Sequence, residues 1–291
     1  MEEKYKPSPI FYMGNKYKLL KQLIPLFPTK CRKFIDAFGG SGVISMNYRG
    51  GYKTYYNEIN PIVIELVEMI KSSNLDELNA YYLKKIKKYD LRTKSDTKTP
   101  ELNANGYYKL REEYNNSKDK SNEDLFLLLC YSINHLLRFN KNGEFNASNG
   151  NDSYNEKNFN QLKNFQEAFK NIYITNCDVF NLNINSLSKE DFIYFDPPYT
   201  NTFANYMERG ERKGWNKEND IKLFELIETL NKKGIMWGLS NVFYNRKKEN
   251  THLIEWCNKN NWNVYHLNRN YNPFSKGNSN NDEVYICNYK E

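Results

Sequence analysis

Apolar residues along this chain recur with two periods, and the switches between them mark out elements. From 17 to 28, YKLLKQLIPLFP spaces apolar positions at helical intervals and stops at prolines, which predicts a helix. KFIDAFGGSGVISMN follows as a strand, a glycine turn and a helix start, and GYKTYYNEINPIVIELVEMIK as a second strand ending in an acid, then a second helix. Two successive βα units predict a parallel sheet. Between about 73 and 165 the texture changes. Helical segments (LDELNAYYLKKIKKY, NGYYKLREEYNN, NEDLFLLLCYSINHLL) lead into RFNKNGEFNASNGNDSYNEKNFN, a polar arm without strand periodicity. Sheet character returns at NIYITNCDVF, DFIYFDPPY and KGIMWGLSN, and NWNVYHLN and NDEVYICNY pair as a hairpin across RNYNPFSKGNSN. The expected architecture is α/β: a mostly parallel twisted sheet with a C-terminal β-hairpin, built from 1–72 and 166–291, with an inserted helical lobe at 73–165.

Composition narrows the class. The 291 residues suffice for one large or two modest domains, and with 15% aromatics, 24 of the residues being Tyr, the chain is too aromatic to be disordered. Lys plus Arg number 42 against 35 Asp plus Glu, a net +7 that points to a polyanionic partner. The five cysteines (Cys31, Cys130, Cys177, Cys257, Cys287) are odd in number, far apart and without a C-x-x-C pair. A disulfide framework and a zinc site are therefore not expected, and a reducing cytoplasm is the natural setting. The longest apolar runs fall short of a membrane span and MEEKYKPSPIFYMGNK has no signal-peptide core, so a soluble protein is expected.

Candidate chemistry gathers at strand ends. KFI delivers Asp36 and Phe38, then Gly39, Gly40 and Gly42, and such glycines let backbone approach a ligand where a Cβ would clash. Glu58 ends the next strand 19 residues after Gly39 (58 − 39), about the spacing at which an acid meets ribose hydroxyls in nucleotide-binding βαβ units. The loop is not G-x-G-x-x-G and no G-x-x-x-x-G-K-[ST] occurs, which favours a nucleoside without a pyrophosphate. Asp178 ends a third strand, where it could accept the exocyclic amine of an adenine with Val179 against the ring; Asp after a strand is more often a turn residue or helix cap. Asp196, Pro197, Pro198 and Tyr199 form a stiff corner, because two prolines fix two φ angles and remove two donors. The Asp196 carboxylate and a proline carbonyl offer two acceptors in a row, suited to one amino group, while Tyr199 would stack on the base carrying it. Such a base is buried in a duplex and must be flipped out.

In that order, FYMGNKYKLL, FIDAFGGSGVISMN, YYNEINP, RFNKNGEF, DPPY, GLSN and DEVYICNY resemble the Dam family of DNA adenine-N6 methyltransferases, especially its bacteriophage-type and restriction-modification members. The resemblance runs over nearly the whole chain. It implies a Rossmann-like S-adenosylmethionine-dependent methyltransferase fold, with the helical insertion as target-recognition domain. It implies double-stranded DNA as substrate, S-adenosyl-L-methionine as donor and no metal. A cognate restriction endonuclease would be a partner of the same system, and monomer and weak dimer both remain open. By the same resemblance Tyr12 and Lys16 would hold the methionine end of the cofactor, Asp36, Phe38, Gly39 and Gly40 its loop, Glu58 the ribose, and Asp178 and Val179 the adenine. Asp196 to Tyr199 would be catalytic, with Asp196 also facing the cofactor, and Asn134, Leu136, Arg138 and Asn140 would fall in the DNA-reading segment.

One departure bears on target sequence. Family members that methylate GATC usually continue after RFNxxGEFN with Pro, then Gly, then a basic or aromatic residue. Here Ser148 takes the proline position, and Asn151 and Asp152 follow Gly150. An acid accepts from cytosine or adenine amines where Arg would donate to guanine, so the sequence leaves the target open between GATC and another site. Cytosine-C5 chemistry needs a Pro-Cys nucleophile, and none occurs. An RNA adenine methyltransferase and a non-catalytic DNA-binding homologue are the alternatives. Arg209, Arg212 and Lys213 are further candidates for a DNA-covering loop; the lysines of YYLKKIKKYDLRTKSDTK read as a solvated helix face.

Overall fold

A computed structural model describes residues 5–93, 101–199, 214–245, 248–267 and 281–290. The segment from 17 to 28 is not one helix: two 3₁₀ turns flank α1 (Leu20–Leu23), because Pro25 cannot donate into a continuing ladder. Then come β1 (Cys31–Asp36), α2 (Val43–Asn47), β2 (Gly51–Asn57) and α3 (Pro61–Ser72). Asn60 caps α3 by accepting from the Ile62 N–H, with Pro61 in the first turn, where its missing donor costs nothing. The insertion contributes α4 (Leu75–Lys88), α5 (Glu101–Asn116), α6 (Asn122–Tyr131) and α7 (Glu156–Phe169). The chain returns through β3 (Ile172–Thr175), β4 (Phe192–Phe195), α8 (Lys217–Lys232), β5 (Met236–Asn245), the short β6 (Lys248–Glu249), α9 (Thr251–Asn260), β7 (Asn263–Leu267) and β8 (Asn281–Cys287).

The sheet order is β3-β2-β1-β4-β5-β8-β7, with β6 on β5. The first five strands are parallel, while β8 is antiparallel to both β5 and β7. The C-terminal hairpin thus inserts its second strand against the parallel sheet. From β1 the chain steps outward to β2 and β3, then returns to lay β4 on the other side of β1. The crevice at the carboxyl ends of β1 and β4 is the topological switch point, where open α/β sheets bind ligands.

Both faces of the sheet are covered, and strand alternation decides which residue meets which layer. Phe34, Phe192, Tyr194, Tyr285 and Cys287 pack under the N-terminal turns with Leu20, Leu23 and Phe27. Their neighbours Ile35, Ile193, Phe195, Val284 and Ile286 pack on α8 and α9. The helical insertion has no core break from α3: Leu66, Val67 and Ile70 share one cluster with Leu125 to Leu129 of α6 and with Leu162, Phe165 and Phe169 of α7. The polar arm forms a narrow hairpin, with Phe139 bridging Phe145 and Ser132 bridging Asn149. Both phenylalanines are buried, which gives this Asn-rich stretch an anchor that strand periodicity does not signal. No helix among the described residues is long and apolar enough to cross a membrane.

Candidate functional site

Three of the apolar rows that pack under the N-terminal turns, on β1, β4 and β8, end in an acid. Phe34 is followed two residues on by Asp36, and Phe192 and Tyr194 by Asp196. On β8, which runs the opposite way, Cys287 and Tyr285 lead back to Glu283. Because β8 is antiparallel to β5, with Glu283 opposite Val242, its beginning lies where the parallel strands end. Period two and this topology together bring the carboxylates to one edge.

The glycine turn links β1 to α2. Gly40 and Gly42 have φ of 49° and 73°, left-handed values that favour glycine. A Cβ on Gly39 would lie 2.1 Å from the Tyr56 ring, and one on Gly40 would lie 3.0 Å from Tyr12. Tyr12 therefore lies against the turn, and the Tyr56 hydroxyl donates to the Gly40 carbonyl at 2.7 Å. Glu58 is buried and accepts from the backbone N–H groups of Gly40 (2.8 Å) and Asn60 (2.9 Å), tying the turn to the start of α3. Asp36 accepts from the Ser45 hydroxyl at 2.7 Å. Burial, with Asp196 and Glu58 nearby, pushes its carboxyl up to about 7.

At the β4 corner the Lys16 ammonium lies 2.7 Å from Asp196 Oδ2 and 3.9 Å from Glu283 Oε1. It also donates to the Gly14 carbonyl at 2.9 Å. Side-chain exposure is 2% for Lys16, 1% for Glu283 and 17% for Asp196, so Asp196 is the member of the group that reaches the crevice. The Tyr199 hydroxyl lies 3.2 Å from Asp196 Oδ1 and 3.3 Å from Glu283 Oε1, and Lys16 Nζ lies 5.1 Å from the ring centroid. Burial raises the Asp196 carboxyl above its ordinary range, Lys16 opposes that shift, and Glu283 adds to it. Pro197 is buried and Pro198 half-buried, which holds the corner against the sheet.

Aromatic rings flank the turn on its other side. Phe38 meets Trp215 edge-on at 5.4 Å, and Phe180 stacks on Trp215 at 6.1 Å. Trp215 is held by its Nε1–H donating to Asp220 at 2.6 Å. Asp178 caps a short 3₁₀ turn by accepting from the Phe180 N–H at 3.0 Å, and Val179 is buried beside Ile35 and Phe195. Sequence reasoning missed Glu283, Ser45, Tyr56, Phe180 and Trp215. Glu283 follows Asn281 and Asp282 and precedes an apolar run, so in the sequence it reads as the polar start of a strand and not as a buried acid.

The segment expected to read DNA lies on the insertion. Asn134 and His135 are consecutive residues in left-handed backbone conformation. His135 stacks on Phe11 at 3.7 Å, places Nδ1 3.0 Å from the Leu129 carbonyl and Nε2 3.0 Å from Asp152. This joins the segment before Tyr12 to the insertion and gives Asp152 a partner within the protein. Leu136 packs against the apolar cluster. Arg138 is exposed at the base of the hairpin, its Nε–H donating to Asn146 at 2.8 Å. The Asn140 carboxamide organises the tip, accepting from the N–H groups of Asn142 and Glu144. Arg209, Arg212, Lys213 and all of RNYNPFSKGNSN lie outside the described residues. Lys85 and Lys88 of the helix face expected to be solvated are ion-paired with Glu113, and Lys85 also with Asp124.

A doubly wound sheet with a glycine turn and a DPPY corner on either side of its switch point is methyltransferase architecture. More narrowly, the profile of the D12 class N6 adenine-specific DNA methyltransferases matches residues 12–272, and the chain belongs to that family. It is 35% identical over 293 residues to the Type II methyltransferase M.FokI of Planomicrobium okeanokoites, covering 98% of this chain and 43% of that protein. It is 33% identical over 296 residues to the modification methylase StsI of Streptococcus sanguinis, covering 99% and 44%. A DNA adenine methylase of Haemophilus influenzae is 27% identical over 205 residues, 68% of this chain and 66% of that one. The chain spans less than half the length of the first two relatives.

Proposed function

We propose that this chain transfers a methyl group from S-adenosyl-L-methionine to N6 of an adenine flipped out of duplex DNA, at a fixed sequence. The observation that carries this reading is the pair of buried Lys16 with Asp196 at the end of β4, held beside the glycine turn of β1. The donor set fits the cofactor. Asp36, Glu58 and Asp196 surround the crevice with carboxylates suited to a cation and to ribose hydroxyls, and Phe38, Phe180 and Trp215 supply flat apolar surface for an adenine. Tyr12, Lys16, Gly39, Gly40, Asp178 and Val179 complete the holding set. The cofactor, when bound, supplies an electrophilic methyl group on a positively charged sulfur.

The chain's own residues then act on the base. Asp196 and the Pro197 carbonyl accept both hydrogens of the amino group, which aims its lone pair out of the ring plane. Lys16 fixes Oδ2, so the acceptor is oriented before the base arrives. The Tyr199 ring is the stacking platform that favours the flipped state. Arg138, Asn134, Leu136 and Asn140, with the rest of 73–165, would position the duplex, which agrees with a net charge of +7. The names of the relatives, a Type II methyltransferase and a modification methylase, support a cognate endonuclease.

Asp196→Ala tests the reading. Transfer should fall by at least about 10²-fold while DNA affinity stays within about threefold. Wild-type transfer by this variant would refute the assignment.

A further inference from the structure

Glu283 has no part in the chemistry described so far, yet it is 1% exposed and lies against the reacting corner. A carboxylate is not buried there by accident of packing, since desolvating it is costly without specific partners. Its neighbours at the corner are Lys16 from the N-terminal segment and Asp196 and Tyr199 from the β4 corner, and it also acts electrostatically on Tyr194 of β4. On the adjoining strands it sits opposite Val242 of β5 and Leu267 of β7, which carry no charge.

The hydrogen-bond inventory of this group is unusual. The Tyr199 hydroxyl has one proton and faces two carboxylates, Asp196 at 3.2 Å and Glu283 at 3.3 Å. It can donate to one and accept from the other only if the other carries a proton. Asp196, Tyr199 and Glu283 therefore form a chain with room for one additional proton. Lys16 cannot take that role, because an ammonium has no acceptor.

Resting on the reading of the site as an adenine-N6 methyltransferase, we propose that Glu283 is the terminal store for the proton that N6 must lose. When N6 gains the methyl group, an N–C bond forms, the donor's S–C bond breaks with its electron pair going to sulfur, and the nitrogen is left with one proton too many. That proton passes to the Asp196 carboxylate, Asp196 gives it to the Tyr199 oxygen, and Tyr199 releases its own proton to Glu283 Oε1. Asp196 ends ionised, Tyr199 neutral and Glu283 protonated. Glu283 touches neither substrate nor donor. It is a positioning and proton-storing residue acting through Tyr199, and the two 3.2–3.3 Å separations are of the length that shortens when a substrate closes the site.

The test uses the full chain, S-adenosylmethionine and a duplex carrying its target, comparing wild type, Glu283→Gln, Tyr199→Phe and the double variant. Cofactor affinity is read by calorimetry and methyl transfer by single-turnover rate against pH. Glu283→Gln should bind the cofactor within about threefold of wild type, yet transfer on the order of 10²-fold more slowly at neutral pH. Its acid limb should move to lower pH, since a neighbouring carboxylate no longer holds the Asp196 proton on. Tyr199→Phe, which keeps the ring, should slow transfer similarly, and the double variant should be no slower than the slower single one. Wild-type rate and acid limb in Glu283→Gln would overturn the relay alone, as would losses that multiply in the double variant. Should Glu283→Gln fail to bind cofactor, Tyr199→Phe decides, and full activity there overturns the relay. A wild-type protein that binds cofactor but methylates no adenine overturns the enzyme reading itself.

Discussion

At the residue scale, Asp36 shows how a site can work against the fold that holds it. Its carboxyl moves from an ordinary value of 3.8 to about 7, so the folded chain holds this proton more tightly than the unfolded one. Stability conferred by that difference is fully present below 3.8, falls as pH rises towards about 7, and does not change further above it. The shift corresponds to roughly 4 kcal/mol between the two limits. Asp36→Asn keeps an acceptor for Ser45 and removes the titration. The variant should therefore gain stability relative to wild type as pH is raised from 4 to 8, read as a widening difference in Tm. A difference independent of pH would contradict the assignment. Asp36, Glu58 and Asp196 were legible in the sequence because each follows an apolar strand. Glu283 was not, because an acid ahead of VYICNY also reads as a turn residue; its burial comes from pairing with β5 some forty residues earlier. Asp178 illustrates the reverse, since it acts as the cap that the blander reading expects, accepting from the Phe180 N–H.

At the element scale, the hairpin from Arg138 to Asn146 separates positioning from contact. Asn140 spends its carboxamide on the turn, whereas Arg138 keeps an exposed guanidinium with one bond to Asn146. Arg138→Ala should change stability by less than about 0.5 kcal/mol, as surface substitutions do. It should weaken duplex binding and lower the slope of log affinity against log salt by about 1. Asn140→Ala should leave that slope unchanged while speeding amide exchange at Asn142 and Glu144, whose N–H groups it holds. Unchanged affinity and selectivity in Arg138→Ala would refute the contact role. The parallel βα units and the C-terminal hairpin were readable from periodicity and strand ends. The N-terminal helix was not, because Pro25 breaks a ladder that the apolar spacing alone suggests.

At the scale of the whole molecule, one sheet carries both halves of the expected task. Chain order places the switch point between β1 and β4, and the N-terminal segment touches the insertion through the Phe11–His135 stack before reaching that point with Lys16. We propose that 73–165 acts as the target-reading unit. Its apolar cluster is continuous with α3, so a change in how it grips DNA has a packed route to the glycine turn, which Glu58 ties to the start of that same helix. The boundaries near 72 and 165 were drawn from texture. Continuity of the core depends on which helix faces meet, which periodicity does not specify. The central claim, adenine-N6 transfer at a fixed target, is tested most directly by incubating the protein with S-adenosylmethionine and mixed-sequence duplex DNA, then sequencing single molecules to report modified base and context. N6-methyladenine in one recurrent context is the expected result. Methylation at cytosine, or no methylated base from a protein that binds the cofactor, would contradict it.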